Sequence, residues 1–326
     1  MLEVARIQPN QYEMKANNTH SLDIDLVADF INYIDVSENT VKTYARGLKQ
    51  FFGYLASEDV KNPVRADILA FKDMLKERGL APNTINIYII SVRRFFGWAD
   101  TQGHYSNIAK GIKGVKVTTG FKKDYLTAED INKVLNAIDT SNEQGARNYA
   151  MIALMATAGL RLTEVATATV GFLDDDRLYI IGKGREEADE YVKLSDHVQT
   201  LLKAYLTIYR PNAKADEALF TGTSNRNKGQ PMETRSIGRI VKTCFKDVGL
   251  DSKRLTSHSL RHSTATLNLL NGGSLEETQQ LLRHSSINTT MVYLHHIERE
   301  QNESEQRISN AIFNSERGLD DDNKPS

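Results

Sequence analysis

Residues 255–296 read LTSHSLRHSTATLNLLNGGSLEETQQLLRHSSINTTMVYLHH. This stretch holds five of the eight histidines of the chain. His258 and Arg261 are three residues apart, so they share one face of a helix. His284 follows one predicted helix later, and Tyr293 lies nine residues beyond it. Imidazole, guanidinium and phenol side chains are therefore concentrated in one short part of the sequence.

Two cations upstream extend this set. Arg161 follows a predicted helix end at Ala158-Gly159-Leu160, and Lys183 lies between two glycines at the predicted tip of a hairpin. In such a group, arginines can grip phosphate oxygens and lysine or histidine can move protons. A tyrosine can attack as an oxyanion when cations surround it. The pattern favours phosphoryl transfer by a side-chain nucleophile in a cationic cage.

Three other reactions are disfavoured by missing motifs. A zinc site on His258 and His262 lacks an H-E-x-x-H or CxxC motif, and the chain has one cysteine, Cys244. A serine hydrolase would need a G-x-S-x-G elbow, which the sequence lacks. The Gly182-Lys183-Gly184-Arg185 segment lacks the spacing of a P-loop. We therefore predict neither a metal nor a cofactor.

The composition is that of a globular protein, and the length suits two domains or one large one. The 326 residues are 40% hydrophobic and 25% charged, and one cysteine cannot form an intrachain disulfide. Neither an apolar run long enough to span a membrane nor a signal-peptide core is visible, so the sequence predicts no membrane contact and a cytoplasmic location.

The charge is uneven along the chain although its formal net value is −1. Residues 41–115 hold 12 basic and 6 acidic residues, and residues 201–270 hold 12 basic and 5 acidic ones. Local basic surface is what contact with phosphates requires, whatever the total charge. On the predicted surface helices of the first basic stretch, the candidate DNA-binding residues are Lys42, Arg46, Arg93 and Arg94.

The apolar periodicity predicts a fold that is mainly α with a small antiparallel β-sheet. The predicted domains are a four-helix bundle (22–104), a basic linker (105–124), a mixed α/β domain (125–311) and an acidic, disordered tail (312–326). Helices are predicted at 22–36, 38–56, 64–79, 82–101, 128–139, 143–158, from 163, and at 196–209, 233–248, 259–271, 275–283 and 286–310. Strands are predicted at 177–181 and 190–194.

The order Arg161, Lys183, His258-x-x-Arg261, His284 and Tyr293 resembles the tyrosine recombinase (phage integrase) family. Three strings carry the resemblance, together with Asn39-Thr-Val-Lys-Thr-Tyr44 in the bundle. They are TAGLRLTEV (157–165), HSLRHSTAT (258–266) and LLRHSSINTTMVY (281–293). The resemblance implies that the bundle is a core-binding domain and that the second domain is catalytic.

The resemblance also implies a role for each site residue. Tyr293 would attack a DNA phosphodiester and leave a 3′-phosphotyrosyl link, and Lys183 would protonate the departing 5′-oxygen. Arg161 and Arg261 would clamp the phosphate. His258 would assist proton transfer at the nucleophile, and His284 would hydrogen-bond the phosphate. The implied partners are double-stranded DNA with short inverted-repeat sites, a homotetramer on two such sites, and an accessory factor or partner recombinase.

Two positions depart from the family pattern. Arg283 occupies the place before His284 where the family usually has glycine, which adds a phosphate contact or distorts the turn. The segment after Lys183 is more acidic than the usual basic hairpin, and Arg185 is the alternative cation there.

The leading hypothesis is therefore a recombinase that integrates or excises a mobile element. A Xer-like resolvase of chromosome or plasmid dimers fits the two-domain length equally well. Relaxation of supercoils in the manner of a type IB topoisomerase, and a non-catalytic DNA-binding regulator, are the remaining alternatives.

Overall fold

The chain forms two compact units, one on each side of residues 118–124. The computed structural model describes residues 22, 25–117, 125–182, 187–300 and 302–313, with the side chains of 296, 299 and 300 left out. We call residues up to 117 the N-terminal unit and residues from 125 the C-terminal unit. The predicted tail beyond 313 lies outside the described residues.

The N-terminal unit is a bundle of four helices. They are α1 (Asp25–Tyr33), α2 (Glu38–Ser57), α3 (Arg65–Glu77) and α4 (Pro82–Thr101). Each presents an apolar stripe at helical spacing, so the stripes bury one another. Pro82 at the first position of α4 suits that helix, since a proline there loses no helical hydrogen bond.

Aromatic rings fill the centre of this bundle. Phe51 contacts Phe71 and Phe96 with ring centroids 5.2 and 5.9 Å apart, and Phe95 contacts Phe96 and Trp98 at 5.2 and 5.8 Å. Most of these pairs meet edge to face, the arrangement that aromatic quadrupoles prefer. The N-terminal unit therefore has a core of its own.

The segment after α4 differs from the predicted linker. Tyr105, Ala109 and Ile112 are buried with the bundle core. The Tyr105 hydroxyl donates to the carbonyl of Pro63 at 2.8 Å, and Asn86 exchanges two hydrogen bonds with the backbone of Val115. Residues 105–115 are thus part of the N-terminal unit, while 118–124 lie outside the described residues.

The C-terminal unit surrounds α6 with helices and a small sheet. Its helices are α5 (Ala128–Asn136), α6 (Glu143–Ala158), α7 (Leu162–Thr167), α8 (Asp196–Tyr209), α9 (Thr234–Asp247), α10 (Ser257–Leu270), α11 (Leu275–Leu282), α12 (Ile287–Glu300) and α13 (Ser304–Phe313). Almost every residue in the second half of α6 is buried, including Met151, Ile152, Leu154 and Met155. This all-round apolar character is typical of a central helix.

The sheet has three antiparallel strands in the order β1 (Leu173–Asp174), β2 (Arg177–Ile180) and β3 (Glu190–Lys193). Leu178 pairs with Val192, and both side chains enter the core with Ile180. The β2–β3 connection holds Lys183 and Arg185, which lie outside the described residues. The prediction of a mainly α fold with a small antiparallel sheet is confirmed.

The C-terminal end differs from the prediction of one helix over 286–310. Two helices, α12 and α13, occupy this range, and α13 continues to Phe313. The side-chain oxygen of Asn302 accepts the backbone N–H of Ser304 at 2.8 Å, which starts the second helix. None of the described helices is both long and apolar enough to cross a lipid bilayer.

Candidate active site

Helix α10 carries three residues of the site on adjacent turns: His258, Arg261 and His262. Two hydrogen bonds fix this helix in the C-terminal unit. Thr264 Oγ1 donates to the carbonyl of Ala156 at 2.7 Å, and the backbone N–H of Leu126 donates to Ser263 Oγ at 2.7 Å. The side chains of the helix therefore start from a fixed backbone.

Arg261 is held by main-chain carbonyls. Its side chain is 2% exposed, and it donates to Gly159 O at 2.5 Å and to Leu282 O. Gly159 ends α6 in a left-handed conformation, with φ of 59°. This conformation favours glycine, and a Cβ there would also lie 2.7 Å from Leu282 Cδ2, so that the leucine side chain would have to shift.

Glu164 bridges two more guanidinium groups. One carboxylate oxygen accepts from Arg161 Nη1 at 2.6 Å, and the other accepts from Arg283 Nη2 at 2.7 Å. The second oxygen also accepts the backbone N–H of Arg161 at 2.8 Å. Arg161 in turn donates to the carbonyl of Arg283 at 3.3 Å. Arg161 and Arg261 thus contact consecutive carbonyls of the turn after α11.

The cluster has a net charge of +2, from three guanidinium groups and one carboxylate. Its four side chains are those of Arg161, Glu164, Arg261 and Arg283. Burial works to raise the pKa of Glu164, but Arg283 and Arg161 outweigh it and hold the pKa below its usual value. Burial, with Arg161 and Arg283 nearby, lowers the pKa of Arg261 to about 10, so that this side chain remains charged at neutral pH. The excess positive charge suits an anionic ligand.

Arg283 adopts an unusual backbone conformation. Its φ is 53°, in the left-handed region where glycine is normally found, and its side chain is only 9% exposed. Its Nη1 donates to Leu281 O at 2.8 Å. The turn keeps its left-handed shape, so the alternative of a distorted turn is wrong, and the guanidinium lies against Glu164.

Tyr293 on α12 is 4% exposed, and its hydroxyl is hydrogen-bonded to His262 Nδ1. The His262 ring also packs edge-on against the His258 ring, with centroids 4.4 Å apart. Burial raises the pKa of Tyr293 to about 12, with Arg261 acting in the opposite direction. The phenol is therefore neutral at physiological pH.

His284 stands beside the same tyrosine. Its ring lies parallel to the Tyr293 ring at 6.5 Å, and its Nδ1 is 2.9 Å from the buried hydroxyl of Thr290. Burial, and then Arg261, Arg161 and Arg283, lower the pKa of His284 to about 4. His284 is therefore neutral at pH 7, able to donate or accept a hydrogen bond.

The C-terminal unit thus brings together Arg161, His258, Arg261, His284 and Tyr293. Lys183 and Arg185 lie outside the described residues.

The four predicted DNA-binding cations belong to the N-terminal unit and are exposed on α2 and α4. Of these, Lys42 is paired with Glu38 at 2.6 Å. Among the described residues, no group of three or more His, Cys, Asp or Glu side chains is placed to hold a metal ion.

Two side chains of this cluster, His262 and Glu164, are not predicted from the sequence as parts of it. The sequence indicates His262 only as a candidate zinc ligand, and the spacing of three residues between Arg161 and Glu164 is a usable signal for Glu164. Part of the basic stretch over 201–270 forms a cleft beside α9 that we call the α9 basic cleft. It is lined by Arg235, Arg239, Lys242 and Lys253.

Comparison with known proteins follows the same division of the chain. Residues 124–300 match the Phage integrase family, and residues 27–103 match the Phage integrase, N-terminal SAM-like domain. A "Tyrosine recombinase XerD" of Listeria monocytogenes serovar 1/2a is 32% identical over 285 residues, covering 83% of this chain and 94% of that protein.

Two solved structures have a related fold. XerH site-specific recombinase bound to palindromic difH substrate, in a post-cleavage complex, aligns with a TM-score of 0.66 at 25% identity, over 89% of this chain and 90% of that one. A lambda integrase dimer bound to a COC′ core site aligns with a TM-score of 0.66 at 16% identity, over 83% of this chain and 97% of that one. The predicted recombinase-type fold is confirmed. The chain belongs to the phage integrase family, whose members are tyrosine recombinases, enzymes that cleave DNA at specific sites and rejoin it.

Proposed function

We propose that Tyr293 is the nucleophile of this recombinase and that the cluster around it binds the scissile phosphate. The observation that carries the proposal is the convergence of Arg161, Arg261 and His284 with Tyr293, from four different elements of one unit. In this proposal the Tyr293 oxygen attacks phosphorus and the 5′-oxygen leaves. The 3′-phosphotyrosyl link conserves the bond energy, so rejoining needs no ATP.

The two arginines act as a preorganised clamp. Each guanidinium has five N–H donors, and the carbonyl contacts of Arg261 occupy only some of them. Fixed cationic donors aimed at a phosphate stabilise the charge that builds up during transfer, without reorganising at the moment of reaction. Lys183 protonates the leaving 5′-oxygen, His258 assists proton transfer at Tyr293, and neutral His284 hydrogen-bonds the phosphate.

DNA contact extends beyond the site over both units. Exposed Arg46, Arg93 and Arg94 on the bundle meet the phosphate backbone with Lys42, and the α9 basic cleft does the same on the C-terminal unit. Each contact releases counterions, so affinity falls steeply with salt. A flat salt response would contradict this part of the proposal.

The active assembly is a homotetramer on two inverted-repeat sites. Support comes from α13, which exposes Ile308, Ile312 and Phe313 on the C-terminal helix of the described chain. Apolar side chains at this spacing form a stripe that a neighbouring subunit can cover. The proposed assembly works in the cytoplasm, and an accessory factor or a partner recombinase completes it.

For the biological role we propose integration or excision of a mobile element. A structural neighbour named as a transposon integrase in complex with transposon right end DNA has the same fold at 19% identity and a TM-score of 0.63. The second candidate is resolution of chromosome or plasmid dimers, which is favoured by XerD relatives that this chain covers over 94% of their length.

The test is covalent trapping on DNA. Wild-type protein is mixed with a pool of nicked duplex fragments from host and element DNA, and adducts are mapped to a peptide and a sequence. We expect one adduct, on Tyr293, at a short inverted repeat, and none with Tyr293→Phe. Adducts with Tyr293→Phe would overturn the proposal, and specific binding without any adduct would favour a non-catalytic regulator.

Two further readouts separate the remaining alternatives. The position of the inverted repeat, at an element end or in the chromosome, distinguishes the two biological roles. A type IB topoisomerase would instead relax supercoils as a monomer, without a site-specific footprint. Lys183→Ala is expected to slow cleavage far more than binding, whereas equal losses would make Lys183 a backbone contact only.

A further inference from the structure

The hydroxyl of Tyr293 meets a histidine that the family resemblance does not assign to catalysis. Its partner is His262 Nδ1, on the same face of α10 as His258 and next in sequence to Arg261. Both partners are buried, with Tyr293 4% exposed and His262 7% exposed. Two polar side chains that are buried against each other form a specific contact, because leaving either unpaired would be costly.

The reaction requires removal of a proton from this hydroxyl. Burial keeps the phenol neutral by raising the pKa of Tyr293 to about 12. A general base must lie within hydrogen-bond reach of the proton it accepts. A nucleophile and a base that are in hydrogen-bond contact, with a third group against the base, are the signature of an activated nucleophile. The edge-on contact of the His258 ring supplies that third group here.

The other histidine beside Tyr293 is engaged elsewhere. His284 directs its Nδ1 to Thr290 Oγ1 at 2.9 Å, and its ring lies parallel to the tyrosine ring with centroids 6.5 Å apart. A stacked ring can position the phenol, but proton transfer follows a hydrogen-bond line. The geometry therefore separates the two histidines by role.

We propose that His262 is the proton acceptor for Tyr293, and that His258 acts on the nucleophile through it. This inference rests on the proposed function. During cleavage the Oη–H bond breaks and its proton moves to His262 Nδ1, while the Oη–P bond forms and the P–O5′ bond breaks. The 5′-oxygen receives its own proton from Lys183. In rejoining, the DNA 5′-hydroxyl returns its proton to Lys183 and attacks phosphorus, the P–Oη bond breaks, and His262 gives its proton back to the phenolate.

The charge of the site makes this transfer depend on DNA. An imidazolium at His262 would contact Tyr293, which interacts electrostatically with Arg261 of the cluster whose four charged side chains sum to +2. A bound phosphodiester adds a negative charge and offsets this repulsion. Proton removal is therefore coupled to occupation of the site by phosphate.

The experiment compares His262→Asn with His258→Asn on the nicked duplex site recovered with wild-type protein. The Asn side-chain oxygen takes the place of Nδ1, so the hydrogen bond is kept and basicity is lost. We expect adduct formation by His262→Asn to slow about 10²- to 10³-fold, within the usual range for general base catalysis, with DNA affinity changed less than about twofold. Thermal unfolding checks that the variant is folded.

A second measurement distinguishes proton transfer from a structural role. Replacing Tyr293 with 3-fluorotyrosine, whose phenol is more acidic, should reduce the loss caused by His262→Asn to less than about tenfold. The loss in His258→Asn should be rescued less. Wild-type cleavage by His262→Asn, or a loss that fluorotyrosine leaves unchanged, would overturn the inference. Both outcomes are compatible with an intact proposed function, whereas absence of any Tyr293 adduct with wild-type protein would contradict the proposed function itself.

Discussion

The cores of the two units differ in polarity. In the described part of the N-terminal unit, Ser91 is the one buried side chain outside the aliphatic and aromatic residues that form the core. The C-terminal unit buries Arg261, Glu164 and His262 together with a series of serines and threonines on α10 and neighbouring elements. The bundle has an ordinary hydrophobic core, whereas the second unit combines a core with the candidate active site.

The difference has an energetic meaning. Burying a charge is unfavourable unless partners compensate it, and a buried ion pair is weak evidence for stability. Burial of these charged side chains therefore stabilises the C-terminal unit less than apolar packing would, but it holds the arginine N–H donors in fixed positions. The bundle has no such demand, so its stability should follow packing alone. Substitutions in the two units can test this contrast.

The largest effect is expected when the bridging carboxylate is removed. Glu164→Ala leaves Arg161 and Arg283 without their shared partner in a buried site. We expect a loss of about 4 kcal/mol in the free energy of unfolding, the usual cost of breaking a buried pair. Urea denaturation followed by circular dichroism measures it. Glu217→Ala is the control, because Glu217 is 45% exposed in its pair with Arg210 and should cost about 1 kcal/mol. Equal losses of unfolding free energy in the two variants would mean that the buried carboxylate matters no more than the exposed one.

The next effect concerns packing in the bundle. Leu75→Ala, at a fully buried position of α3, should cost about 3 kcal/mol through lost transfer energy and a residual cavity. The single tryptophan of the chain, Trp98, lies in this unit and reports its unfolding by fluorescence. Leu69→Ala on the same helix, 37% exposed, should cost less than about 1 kcal/mol. Similar costs at both positions would mean that burial does not govern stability here.

A smaller effect compares two residues in the same backbone conformation. Asp59 after α2 and Arg283 after α11 have φ of 51° and 53°. Glycine relieves the strain at both. Asp59→Gly should gain about 0.5 kcal/mol, since Asp59 is exposed. Arg283→Gly should instead lose about 2 kcal/mol, because the ion pair with Glu164 outweighs the relief. Thermal unfolding measures both changes. Stabilisation by both substitutions would mean that the ion pair with Glu164 does not outweigh the backbone strain at Arg283.

The smallest expected effect is on how the stability of the folded chain depends on pH at His284. The pKa of His284 is about 4 in the folded chain, below its ordinary value of 6.5, because of burial and the three arginines. Between these pH values the unfolded chain binds more protons, so the contribution of this site is present above about pH 6.5 and is lost as the pH falls towards 4. Thermal midpoints at pH 7 and pH 5 should therefore differ less in His284→Gln than in the wild type. Exposed His197→Gln is the control and should behave like the wild type.

Much of the secondary structure could be predicted from sequence because apolar spacing marks helices directly. The prediction of 82–101 matches α4, and 143–158 matches α6. The differences between the predicted and the observed elements have local causes. Residues 105–115 bury Tyr105, Ala109 and Ile112 in the bundle core although no helix forms there, and Asn302 restarts a helix inside a continuous periodicity. The two-residue strand β1 is too short to leave a pattern.

The site was predictable as a set of residues but not as a set of contacts. Family motifs indicate Arg161, Arg261 and Tyr293, and the structure places them in one cluster. The contact of Tyr293 with His262 depends on how α12 packs on α10, and the placement of Arg283 against Glu164 joins residues 119 positions apart. Neither contact follows from local spacing, because both arise from tertiary packing.

The carbonyl acceptors of Arg161 and Arg261 have a consequence for how this site tolerates mutation. Gly159 O, Leu282 O and Arg283 O receive hydrogen bonds from the two arginines. Every amino acid supplies such an oxygen, so a substitution at an acceptor position removes the contact only if it moves the backbone. The contacts with Leu282 O and Arg283 O therefore do not depend on which side chains these two positions carry, whereas a substitution at Gly159, with its φ of 59°, would strain the backbone that supplies the third acceptor.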